Sequence, residues 1–133
     1  MRRKGLELMD LPDDVVAFAH QLFDAARSGD APFVLSAVKQ GISPDLSDAS
    51  GNTLLMLAAY HGHARLVAEL ASQGANINQT NDRGQTPLAG AIFKRDEAVI
   101  STLLTLGADP DLGSPSARMT AKMFEISLDA YRA

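Results

Sequence analysis

His61 and His63 flank Gly62, a spacing able to hold a metal ion. No acid stands close enough in sequence to complete a ligand set, and the chain has no cysteine, so thiol nucleophiles, disulfides and Cys-zinc sites are excluded. Asp109 and Asp111 lie two residues apart in a loop, but a calcium loop needs more oxygen ligands at fixed spacing than this stretch supplies. Ser, His and Asp all occur, yet no G-x-S-x-G elbow presents a nucleophile. Neither G-x-G-x-x-G nor the G-x-x-x-x-G-K-[ST] phosphate loop is present. His20 sits between Ala19 and Gln21 and reads as an ordinary helix residue. The groups that carry chemistry do not converge, so no catalytic site, cofactor or metal is expected. A metal-binding or hydrolytic role for His61 and His63 is the alternative of another class.

The 133 residues are 46% apolar, with few aromatics, no Trp and a formal net charge of −4. This composition fits one globular domain and opposes general nucleic-acid binding, which needs a basic surface. No segment reaches the ~20 apolar residues of a membrane-spanning helix. "MRRKGLELMD" carries three basic residues without the apolar run of a signal peptide. The expectation is a cytoplasmic protein with a tail over 1–12, in which Met9 offers an alternative start.

What must position any functional side chain is a repeat. Residues 48–80 laid over 81–113 match without a gap: Gly51 meets Gly84, Thr53 meets Thr86, Leu55 meets Leu88 and Ala58 meets Ala91. Leu70, Gly74 and Ala75 then meet Leu103, Gly107 and Ala108. Ala25, Gly29 and Gly41 extend the 33-residue period backwards. Forwards it blurs: the Thr-Ala of "SARMTAKMF" stands one residue out of place for Thr86-Pro87. A fixed period of this size signals stacked units that share a core.

Each unit reads as helix, tight turn, helix and extended loop. In the third, Thr86 caps a helix opened by Pro87, and Leu88, Ala91 and Ile92 form its buried stripe. A second helix begins near Glu97, turns Val99, Ile100, Leu103 and Leu104 inward, and stops at Gly107. In the first unit Pro32 opens the second helix, whose apolar face is Phe33, Val34, Ala37 and Val38. The helix that follows Pro12 is longer than its counterparts, as suits a terminal cap.

"GNTLLMLAAYHGH", "GANIN", "GQTPLAGAIF" and "GADPD" resemble the blocks of the ankyrin repeat, and the resemblance covers roughly residues 15–133. It implies an all-α solenoid of about four stacked helix-turn-helix units over 13–133, with bounds near 15–47, 48–80, 81–113 and 114–133. Short loops or hairpins would join them. The chain also resembles small bacterial ankyrin proteins, some of them linked with catalase and oxidative stress. That context comes from the resemblance alone. Departures from the pattern are Leu54 in place of Pro, Met56 and Ala89 in place of His, and Arg95-Asp96 in place of Gly-His. The last departure predicts a different turn shape in the third unit. The fourth unit has room for about one helix. Met123, Phe124 and Leu128 are therefore expected to lack cover, which would favour weak self-association.

The resemblance also places a concave face along the turn tips and first helices. Arg27, Tyr60 and Phe93 then form one column, and Ser28, His61 and Lys94 the next, with Asn52, Arg83 and Gln85 at the tips. Aromatics within a basic surround are favoured at binding centres. The expected function is a non-catalytic module that binds another protein through Arg27, Asn52, Tyr60, His61, Arg83, Gln85, Phe93 and Lys94. The rival is a regulatory or neutralising, immunity-like subunit of a bacterial enzyme or toxin. No nucleic-acid or membrane partner is expected.

Overall fold

The computed structural model describes residues 12–131. Of the expected tail only Pro12 falls within them; Met9 lies outside. Among the described residues there are seven α-helices: α1 (Asp13–Ser28), α2 (Ala31–Lys39), α3 (Leu54–Tyr60), α4 (Ala64–Ser72), α5 (Pro87–Phe93), α6 (Glu97–Thr105) and α7 (Ala117–Met123). A 3-10 helix, Leu128–Tyr131, follows. The inner row packs in chain order, α1 on α3, α3 on α5 and α5 on α7. In the outer row α2 meets α4 and α4 meets α6, with the 3-10 helix against α6. Each unit lies on the next, the all-helical solenoid that the period predicts. No described helix is long and apolar enough to cross a membrane.

Each inner helix after the first is seven residues long, too short to hold itself in water, so its stability comes from capping and packing. Thr53, Thr86 and Ser116 are the N-caps, and each hydroxyl oxygen accepts from a backbone N–H at 3.1 Å, from Met56, Ala89 and Met119 in turn. All three caps are buried, where an unpaired N–H is costly. The core between the rows runs unbroken from Phe23 through Leu55, Leu70, Leu88 and Ile100 to Leu103. Ala58, Ala91 and Ala121 at its centre let neighbouring helices approach closely.

The tight turns inside units need a left-handed residue. Gly29 and Gly62 supply it with φ of 80° and 85°. Arg95 takes the same conformation at φ 56°, so the third turn keeps its shape, contrary to expectation. Asp96 supplies the next helix cap by accepting from Val99 N–H at 3.1 Å, as Asp30 does from Phe33. Arg95 N–H donates to the Ile92 carbonyl at 2.9 Å and its guanidinium lies against the Phe124 ring, in a conformation that free propensity would give to Gly.

The fourth unit corrects the sequence reading. Its N-cap is Ser116, and Thr120 lies inside α7 rather than beginning it. The connection from α6 to α7 is three residues shorter than that from α4 to α5, so the period drops from 33 to 30. Leu128 is buried at 7% exposure, because the 3-10 helix packs against α6 in place of the outer helix for which the fourth unit has no room. Phe124 is half-covered, its ring 5.8 Å from that of Phe93.

Candidate functional site

The reduced period decides which side chains share a face. Arg27, Tyr60 and Phe93 continue into Met123, and Met56 and Ala89 continue into Met119. Tyr60, Phe93, Met119 and Met123 are 41, 60, 60 and 66% exposed, an apolar patch spread over three inner helices. The patch borders a groove of about 510 Å³. Met56, Leu57, Ala89 and Gly90 line its floor, and Asn81, Arg83, Gln85 and Pro115 stand along the tips. The floor dips at Gly90: Leu57 fills the corresponding place one unit earlier, and an added Cβ at Gly90 would stand 3.5 Å from the Tyr60 ring.

The tip wall is rigid because its polar atoms bind one another. Asn81 is buried; its side-chain amide donates to Asn52 Oδ1 at 2.9 Å and to Gln85 Oε1 at 2.8 Å. Its own Oδ1 accepts from the N–H groups of Arg83 and Gln85, both at 3.0 Å. Backbone bonds join the tips across units, Asp82 N–H to Ser50 O and Ser114 N–H to Gly84 O. Asn52 and Gln85 therefore line the groove while their amide oxygens build its wall.

The opposite rim carries two cations, with Asp96 and Glu97 next to them in sequence. Lys94 Nζ sits 4.8 Å from the centre of the Tyr60 ring, and the Arg95 guanidinium 5.0 Å from that of Phe124. Arg83, Lys94 and Arg95 take part in no ion pair among the described residues; Arg27, Arg65 and Arg118 do. His61 adjoins the rim in a second recess with Lys94, Arg95, Asp96 and Glu97. Its pKa is lowered from the usual histidine value, first by burial and then by the positive charges of Arg27, His63 and Lys94.

Of the residues expected to bind, the groove gathers Asn52, Tyr60, Arg83, Gln85 and Phe93, with His61 and Lys94 in the adjoining recess. Arg27 stands apart: it is half-buried, pairs with Asp24 at 2.8 Å and lies 3.8 Å from Asp48. His61 and His63 have separate roles. His63 Nε2 donates to the Arg27 carbonyl at 2.7 Å and so ties the second unit to the first. Among the described residues no three His, Cys, Asp or Glu side chains are grouped to hold a metal. Sequence reading misses Gly90 in the groove and Met119 in the patch beside it, and it expects Met123 to lack cover without placing it in this row. The signal that finds the methionines is the serine cap at Ser116, which resets the register.

A family model described as ankyrin repeats, in three copies, matches residues 22–114. The ankyrin repeat protein PA3287 of Pseudomonas aeruginosa is 45% identical over 58 residues, covering 44% of this chain and 34% of that protein. The nuclear factor NF-kappa-B p105 subunit of Rattus norvegicus is 38% identical over 100 residues, 71% of this chain and 10% of that protein. This chain thus spans about a third or less of the length of these two relatives. Among solved structures, the human ASB11 ankyrin repeat domain superposes with a TM-score of 0.62 at 28% identity, covering 67% of this chain and 40% of that one. The period, the caps, the stacked helices and the matched residues agree, and the chain belongs to the ankyrin-repeat family.

Proposed function

We propose that the groove on the inner-helix face docks a segment of another protein, and that the chain acts by presenting this preformed surface rather than by catalysis. Ankyrin repeats are protein–protein interaction modules, and theirs is a non-catalytic binding fold. The observation that carries the reading is the exposed row of Tyr60, Phe93 and Met123, one large apolar side chain from each of three successive units. Exposed apolar side chains collected into one concavity mark binding sites more often than the same residues scattered. The surface is held by buried caps and by the Asn81 network, so docking orders little that is not already ordered. The binding residues under this reading are Tyr60, Phe93 and Met123, with Arg83, Lys94 and His61 at the edges.

The test is capture of partners from host extract by the wild type and by the Tyr60→Ala/Phe93→Ala double variant, with helicity checked by circular dichroism. A partner retained by the wild type and lost by the folded double variant is the expected result. Equal capture by both would place binding elsewhere.

A further inference from the structure

We infer that the groove takes an acidic amphipathic helix: an apolar stripe recurring about every seven residues, seated on Tyr60, Phe93 and Met123, with carboxylates flanking it to meet Arg83 on one side and Lys94 and Arg95 on the other. The inference deepens the proposed function and rests on it.

Three observations lead there. The first is spacing. Packed inner helices lie about 8–10 Å apart, so the apolar row advances by that step per unit. A helix lying across the stack advances about 10.5 Å in seven residues and returns to nearly the same face. An extended strand advances about 10 Å in three steps, but the residue three positions on points away from the groove.

The second observation is the state of the wall. Asn52, Asn81 and Gln85 already bond to one another, and the floor is Met56, Leu57, Ala89 and Gly90. Little is left to satisfy a bare ligand backbone, whether extended or polyproline. A helix brings its backbone bonds with it.

The third is charge. Among the described residues Arg83 is the sole ionic side chain that lines the groove. Lys94 and Arg95 stand at its other edge, and these three cations lack ion pairs among the described residues of a chain whose net charge is −4. The His61 pKa is lowered first by burial, and Lys94 adds to the lowering after Arg27 and His63. The dip at Gly90 then receives the largest apolar side chain of the stripe.

The experiment selects from a display library of random peptides about 18 residues long, enough for a helix to form, against the wild-type protein. Selected peptides are then synthesised and titrated by fluorescence anisotropy. Enrichment of Leu, Ile or Phe at seven-residue spacing together with Asp or Glu is expected. The Arg83→Glu/Lys94→Glu variant should then bind about tenfold or more weakly, and more so at low salt. Gly90→Leu, which copies the Leu57 of the preceding unit, should weaken binding by a similar factor of about ten by filling the dip. Enrichment of basic or Pro-rich peptides, or of none, overturns the inference. If acidic peptides are enriched but bind Tyr60→Ala/Phe93→Ala as well as the wild type, the concave-face reading itself fails. If binding is lost in that double variant but tolerates both charge reversal and Gly90→Leu, the groove still docks a partner and only the acidic-helix chemistry fails.

Discussion

Asp45, Asn78 and Asp111 recur along the loops as Tyr60, Phe93 and Met123 recur along the inner helices, but the two rows are used in opposite ways. In the loops each unit is tied to the next: Asp45 Oδ1 accepts from Asn76 N–H at 2.8 Å, and Asn78 Oδ1 accepts from Asp109 N–H at 2.9 Å. Asp111 ends the row in an ion pair with Arg118 at 2.6 Å. The inner-helix row instead turns large apolar groups to solvent. Recurrence alone therefore does not separate scaffold from surface. What separates them is whether each side chain finds its partner within the chain.

The comparison can be broken most forcefully at Asn81, which belongs to the scaffold although it lines the groove. Asn81→Ala removes two donated and two accepted hydrogen bonds from a buried side chain and takes the acceptor from the part-buried N–H groups of Arg83 and Gln85, so it should cost about 2–3 kcal/mol in urea denaturation. A cost near zero would show that the tip wall is not fixed by this network. Gly90 sharpens the comparison from the open side. Its helical backbone tolerates a side chain and a new Cβ meets only ordinary contact with Tyr60, so Gly90→Ala should raise stability by about 0.5–1 kcal/mol in the same experiment. A loss would mean the dip is crowded rather than empty.

The smallest expected effect is at His61. Because its folded pKa lies below the unfolded value of 6.5, the unfolded chain takes up the proton first as pH falls. The stability this contributes is complete above that value and is lost as pH drops through the folded pKa. Denaturation curves at pH 7.5 and in the acid range below 6.5 should thus show a smaller acid loss for His61→Gln than for the wild type. An equal loss would mean that neither burial nor the surrounding charges lower the pKa of this ring.

The fold was legible because its signals are local and repeated. Thr53 and Thr86 as caps, Pro87 at the first helical position and Gly107 past the end each follow from backbone chemistry within one turn. The fourth unit was not legible: the shortened loop shifts the register, and a serine does the capping that threonine does elsewhere. Met119 was missed for the same reason, and Met123 was expected to lack cover but was not assigned to the row of Tyr60 and Phe93. Arg95-Asp96 was read as a disturbance of its turn because it departs from the Gly-His of the pattern, yet Arg95 takes the left-handed conformation that Gly62 takes one unit earlier. The loops were read by composition, which shows that a stretch is polar but not that Asp45 and Asn78 reach across to the next unit.

Packing only between immediate neighbours has a further consequence. A stack built this way opens most readily where a unit has few neighbours, and among the described residues α7 packs in the inner row against α5. A ligand lying over α3, α5 and α7 would act as a splint across three segments that otherwise open one after another. Occupancy should then register as slowed amide exchange in α7, well away from the aromatic pair that anchors the guest.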